Sequence, residues 1–429
     1  MSANQPSDQP AGQPAAAPAA SQSFPAAYLR ADLLGFTGYA SARRVRATEH
    51  QTDAPPASGP ERVPPVERIW LNANEAAEPN AADPQATTRR YPDGQPVLLR
   101  ERLATLWGTA ADELLVTRGS DEAIDLLVRT ACEPGRGAIV TTTPTFGMYA
   151  VAARLHGCSV VDVPQTLEPD PSEPAHQWAR LDLAGVLDAV EESGAGLVFV
   201  ATPGNPTGQS LPTMALTRLA TALEGRALLV VDEAYADFAG TPSAAGLLRE
   251  HENVVLLRTL SKAHGLAGAR IGAVLARPEL IELLGTVIPP YPLAAPATAL
   301  AEAATEPDAL RDTTERVERI VAERERMTGA LTGIVREGAG ERGQAVEQEA
   351  LDEAPRPGSL RLTALLPSAA NFLTVRCEDP EAVLMVLDEA GVVVRSLASH
   401  PGLADGVRIT LGTPDQNDLV LSQLSKETP

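Results

Sequence analysis

The chain has 429 residues, 44% of them hydrophobic, and a formal net charge of −21. That length exceeds one ordinary compact core and predicts two packed domains, or one large domain with a smaller satellite. So acidic a balance repels phosphate backbones and anionic lipid surfaces, no run approaches the roughly 20 apolar residues of a membrane-spanning helix, and no secretory pattern opens the chain. A cytoplasmic enzyme is therefore expected, without nucleic-acid or membrane partners.

Residues 1–28 are almost entirely Ala, Pro, Gln and Ser, too poor in large apolar side chains to offset the entropy of ordering, and read as a disordered arm. An N-terminal segment follows over 29–66, with a Pro-rich insertion at 45–65. Residues 67–310 read as a large domain in which short apolar runs alternate with stretches of period near 3.6, the pattern of an α/β fold. Buried strands are predicted over 114–117, 138–142, 159–163, 197–201, 227–231, 254–257 and 271–275, and helices over 121–132, 145–156, 211–223 and 262–268. Most of the strands are continuously apolar, as expected of a mostly parallel sheet covered by helices on both faces. An Arg/Glu-rich helix over 311–331, with opposite charges three and four residues apart, leads into a smaller C-terminal α/β domain at 311–429. That domain is predicted to hold strands at 371–376, 392–396 and 407–411, a helix at 380–390, and a polar insertion or linker at 337–359.

Among 35 basic residues only Lys262 and Lys426 are lysines, and Lys426 stands in a polar C-terminal tail. Lys262 follows an apolar strand in Thr259-Leu260-Ser261-Lys262, and Arg270 lies eight residues on. Another strand runs straight into Asp232-Glu233-Ala234-Tyr235, which puts an acid at the carboxyl end of a buried strand, where ligands of open α/β sheets bind. An amine and an acid on neighbouring strand ends suit a pyridoxal phosphate Schiff base, in which a carboxylate keeps the pyridine nitrogen protonated. The same acid could otherwise cap a helix. Gly119, Ser120 and Asp121 open a helix after strand 114–117 and offer backbone amides to a phosphate, or a plain N-cap. Asn205-Pro206 also follows a strand and could aim an amide into the same crevice. Cys132, Cys158 and Cys377 have neither metal-ligand nor disulfide spacing and read as buried hydrophobes, so no metal is expected.

Taken together, the asparagine-proline, the aspartate-x-x-tyrosine, the serine-lysine and the arginine eight residues after the lysine resemble the aspartate-aminotransferase superfamily of fold type I pyridoxal-phosphate enzymes. The resemblance implies that Lys262 forms the Schiff base and shuttles the substrate proton, and that Asp232 pairs with the pyridinium nitrogen. It likewise implies that Asn205 and Tyr235 bind the phenolic oxygen, that Phe146 stacks on the ring, and that Gly119, Ser120, Asp121, Thr259, Ser261 and Arg270 hold the phosphate.

Closer likeness is to the histidinol-phosphate aminotransferase family. Leu71-Asn72-Ala73-Asn74-Glu75 is similar to its leucine-asparagine-x-asparagine-glutamate signature, Arg90-Tyr91-Pro92 to its arginine-tyrosine-proline element, and 36–44 to its N-terminal stretch, with Gly38 in place of a proline. This implies transamination between histidinol phosphate and 2-oxoglutarate, a homodimer in which Tyr91 serves the neighbouring site, and a substrate end formed by Tyr39, Asn74, Asn371, Arg395 and Arg408. An arginine fork can bind either a phosphate or a carboxylate, as two such substrates in one pocket require. Aromatic-amino-acid aminotransferases and threonine-phosphate decarboxylases share most of these motifs, and a non-catalytic binding protein of the same fold is the alternative from another class.

Overall fold

The computed structural model describes residues 28–36, 70–345 and 358–425. The arm through residue 27, the Pro-rich 45–65, Tyr39, Lys426 and residues 346–357 lie outside them. The strands are β1 Leu114–Thr117, β2 Ala138–Thr141, β3 Ser159–Asp162, β4 Thr166–Asp170, β5 Glu173–Arg180, β6 Leu197–Ala201, β7 Leu228–Asp232, β8 Val254–Thr259, β9 Gly272–Leu275, β10 Leu362–Leu366, β11 Phe372–Cys377, β12 Arg395–Ser396 and β13 Gly406–Thr410. The helices are α1 Val97–Trp107, α2 Gly119–Ala131, α3 Met148–Leu155, α4 Leu183–Ser193, α5 Thr213–Leu223, α6 Leu247–Glu250, α7 Pro278–Val287, α8 Ala295–Ala304, α9 Pro307–Ala345, α10 Pro380–Glu389 and α11 Pro414–Leu424. None of the described helices is long and apolar enough to cross a membrane.

Seven strands form one sheet in the order β1-β9-β8-β7-β6-β2-β3. Successive side chains leave a strand on opposite faces, and two separate cores result. Leu229, Val231, Leu256, Val198 and Val200 meet α1, α4 and α5 on one face, while Leu228, Val230, Val255, Leu257 and Phe199 meet α2, α3 and α7 on the other. This double cover accounts for the unbroken apolar runs. Pairing is parallel from β8 through β7, β6 and β2 to β3; β9 is antiparallel to both β8 and β1. The antiparallel β9 between them leaves β1 running in the same sense as β8, so the carboxyl ends of β1, β2, β6, β7 and β8 share one edge.

A second sheet, in the order β12-β13-β11-β10-β5-β4, packs against α9, α10 and α11 around Leu365, Leu373, Val375, Val407 and Ile409. Its β4–β5 hairpin comes from residues 166–180, within the stretch read as the large domain, so the second sheet is completed by a loan from the first part of the chain. Buried Arg324 on α9 fastens the two parts, donating to the carbonyls of Phe238 and Ala370 at 2.9 and 3.0 Å.

Three expectations are corrected. Residues 262–268 form turns and a short 3-10 helix, Ala267–Ala269, because Gly265 at φ +68° and Arg270 at φ +56° turn the chain out of helical geometry. The helix expected over 311–331 spans Pro307–Ala345, with Met327, Leu331 and Val335 buried at four-residue spacing, and its last turns run into the stretch read as a polar insertion from 337. The strand expected over 392–396 narrows to Arg395–Ser396.

Candidate active site

The shared edge gathers the chemistry. Asp232 ends β7, and because Leu228 and Val230 face the α2/α3 side, Asp232 faces it too, while Glu233 turns to the opposite side. Asp232 is 5% exposed and its two oxygens accept from the Tyr149 hydroxyl at 2.7 Å and the Ala234 N–H at 3.0 Å. Loss of hydration pushes its carboxyl above the usual range, against those two donors. Glu233, on the other side, accepts from Arg258 at 3.1 Å and from the Ala244 N–H at 2.6 Å, and Arg258 also donates to Asp237 at 2.8 Å with its guanidinium over Trp107. This buried pair fixes the ends of β7 and β8 to each other from behind.

Lys262 lies three residues past β8, with its Nζ 5.5 Å from the centre of the Tyr235 ring. Its side chain is exposed, yet the protein around the amine removes enough hydration to lower its pKa, with the positive charge of Arg408 next in effect. Burial pushes the Tyr235 hydroxyl up to about 12. The side-chain carbonyl of Asn205, just past β6, accepts from Arg408, which projects from β13 of the second sheet. Thr374 donates to the carbonyl of Pro206 at 2.6 Å and the Ala369 N–H to that of Gly208 at 2.7 Å, so the Asn205 loop is held by the second sheet along its length. Burial lowers the pKa of Arg408, whose guanidinium stands 5.3 Å over the Phe372 ring.

At the other end, Gly119 begins α2 with φ +73°, and a Cβ there would lie 2.8 Å from Arg270 Nη2. Arg270 Nη2 bonds Asp121 at 2.8 Å, and Thr259 and Ser261 share a hydroxyl contact at 2.9 Å. Gly272 permits the approach, since a Cβ on it would meet Gly119 C at 2.6 Å and Ser120 N at 2.7 Å. Pyridoxal phosphate fits this set. A side-chain-free corner with helix-start amides and an arginine suits its phosphate, the buried carboxylate of Asp232 suits its ring nitrogen, and Lys262 supplies the amine. Phe146, half-buried, meets Tyr149 edge-on at 5.7 Å.

Of the expected substrate residues, Arg395 is exposed and lies directly across from Arg408 on the neighbouring strand, and Asn371 immediately precedes β11. Asn74 and Tyr91 line a surface pocket of about 380 Å³ with Arg89, Arg90 and Pro296. Tyr91 is half-exposed and stacks on Tyr291 at 4.6 Å. Sequence reading gave no role to Tyr149; its place on the first turn of α3, three residues after Phe146, is a signal legible only once Asp232 is known to lie opposite.

The sequence profile of aminotransferase class I and II matches residues 57–424. Histidinol-phosphate aminotransferases of Stenotrophomonas maltophilia (44% identical) and Xanthomonas campestris (45% identical) each align over 93% of this chain and 96% of their own length. The solved structure of histidinol-phosphate aminotransferase from Sinorhizobium meliloti, in complex with pyridoxal-5'-phosphate, is 25% identical with a TM-score of 0.63, covering 82% of this chain and 88% of that one. The chain thus belongs to the class I and II aminotransferases and, among them, to the histidinol-phosphate aminotransferase family.

Proposed function

We infer that the protein transfers the amino group of L-histidinol phosphate to 2-oxoglutarate, giving imidazole-acetol phosphate and glutamate, with pyridoxal phosphate as cofactor. The observation that carries this reading is the Lys262, Asp232, Asn205 and Arg270 constellation on one sheet edge, in a chain 44% identical over 93% of its length to a histidinol-phosphate aminotransferase.

The cofactor, when bound, supplies the electron sink that lowers the barrier to removing the substrate's α-proton. The protein's own residues do the rest. Asp232 holds a negative charge at the ring nitrogen, and Asn205 and Tyr235 bind the phenolic oxygen. The amides of Gly119, Ser120 and Asp121, with Thr259, Ser261 and Arg270, bind the phosphate, and Phe146 covers the ring. Lys262 is the residue that would bond the cofactor, and its amine, when free, would accept the substrate's α-proton and carry it across the C=N bond. The lowered pKa of Lys262 serves that role, because a base must be neutral to accept a proton. Arg408, with Arg395, Asn371 and Tyr39, binds the phosphate of one substrate and the distal carboxylate of the other.

The active unit in this reading is a homodimer, with Tyr91 of each copy serving the substrate end of its neighbour. The surrounding surface supports it: Tyr91, Leu71, Val97 and Leu98 leave apolar area exposed that a second copy can cover. Three buried free thiols fit a reducing cytoplasm. Glutamate formation from 2-oxoglutarate, measured with histidinol phosphate, phenylalanine or threonine phosphate as donor, tests the function. Histidinol phosphate should give the highest kcat/KM; preference for phenylalanine, or carbon dioxide released from threonine phosphate, would reassign the substrate.

A further inference from the structure

Tyr149 on α3 is 0% exposed and donates its hydroxyl to Asp232 Oδ2 at 2.7 Å. A buried phenol requires an acceptor, and here the acceptor is the acid read above as the partner of the cofactor's ring nitrogen. The Tyr149 ring is held on two sides. It stacks on Phe199 of β6, with centroids 4.6 Å apart and planes 12° off parallel, and Phe146 meets it edge-on at 5.7 Å. These walls belong to the protein, so the direction of the hydroxyl is set before any cofactor arrives. Phenylalanine would fill the same apolar slot, so packing alone does not call for the oxygen.

We propose that Tyr149 is a positioning residue for transamination, orienting Asp232 and holding it ionised so that the proton resides on the cofactor's ring nitrogen. A phenol donates more strongly to a carboxylate than to a carboxylic acid. Asp232 is buried, and its other protein donor is the Ala234 N–H at 3.0 Å. Without the Tyr149 hydroxyl the carboxylate keeps a single donor in a dry site and competes for the proton it should leave on the ring. The inference rests on the assignment of Asp232 to the ring nitrogen.

The test is a double-mutant cycle with Tyr149→Phe and Asp232→Asn, read by the dissociation constant of pyridoxamine phosphate and by the 15N chemical shift of ring-labelled cofactor in each holoenzyme. Tyr149→Phe should weaken pyridoxamine phosphate by about 10- to 100-fold and move the ring nitrogen signal toward the unprotonated value, with little change in the melting temperature of the cofactor-free protein. In the Asp232→Asn background, Tyr149→Phe should add almost nothing. An unmoved 15N signal in Tyr149→Phe, or an equal loss of affinity in both backgrounds, would overturn the positioning role. If Asp232→Asn itself leaves the signal and the affinity unchanged, the assignment of Asp232 fails as well, so the two failures are distinguishable. Should Tyr149→Phe not fold, Phe199→Leu removes the stacked wall and leaves the hydroxyl, and the same shift of the ring nitrogen signal is required of it.

Discussion

Arg408 and Asn205 are 203 residues apart in sequence, yet the arginine donates directly to the asparagine's side-chain carbonyl. The second sheet is thereby tied through Arg408 to the loop proposed to reach the cofactor's phenolic oxygen. Arg408→Ala removes the charge proposed to serve both substrates and leaves Asn205 without this donor. A charge-assisted hydrogen bond contributes about 1.5–3 kcal/mol, so KM for histidinol phosphate and for 2-oxoglutarate should each rise about 10- to 100-fold. A rise confined to one of the two would show that they do not share this arginine.

Gly119 keeps the corner proposed to hold the phosphate open through what it lacks. Alanine there must adopt φ +73° and put a Cβ 2.8 Å from Arg270 Nη2. The left-handed conformation alone costs about 1–2 kcal/mol, and Arg270 must also move. Gly119→Ala is expected to weaken pyridoxal phosphate by at least about tenfold, as measured by dialysis of the holoenzyme; an unchanged dissociation constant would remove Gly119 from the phosphate site.

Arg258 and Glu233 have side chains 7% and 3% exposed. Removing one partner of such a pair leaves a charge buried alone and costs about 3–5 kcal/mol. Arg258→Met should lower unfolding stability by that amount in denaturant titration, and because the pair spans β7 and β8, kcat should fall with it. Wild-type stability in this variant would show that Glu233 is held well enough by Ser243 and the Ala244 N–H.

Tyr91 and Lys262 together test the proposed dimer. Homodimers of Lys262→Ala should be folded and inactive, and those of Tyr91→Phe weakly active. Mixing the two after mild dissociation should restore turnover above either parent, because one site of the hybrid then combines an intact Lys262 with the other subunit's intact Tyr91. No recovery in a sample shown by mass to contain hybrids would place Tyr91 outside the neighbouring site.

Much of this was legible in the sequence because a strand buried on both faces must be apolar throughout, and the runs at 114–117 and 197–201 match β1 and β6 end to end. The acid, the lysine and the asparagine were legible for the same reason, standing just past such runs. The β4–β5 hairpin was not, since its residues are mostly polar and half-exposed and its partner β10 lies nearly 200 residues away. Residues 262–268 carry apolar spacing that a helix could use, but glycines at 265 and 268 weaken the helix, and the positive φ at Gly265 is invisible in composition. Tyr149 escaped notice because the meaning of its hydroxyl depends on Asp232, 83 residues along the chain.

The most direct measurement is the half-reaction itself. Purified enzyme loaded with pyridoxal phosphate is mixed, without 2-oxoglutarate, with histidinol phosphate, phenylalanine or threonine phosphate, and the visible absorbance is followed as the cofactor passes to its amine form. Rapid and complete conversion by histidinol phosphate, slow conversion by phenylalanine, and none in Lys262→Ala is the predicted result. Conversion by phenylalanine faster than by histidinol phosphate, or undiminished conversion in the Lys262→Ala protein, would contradict it.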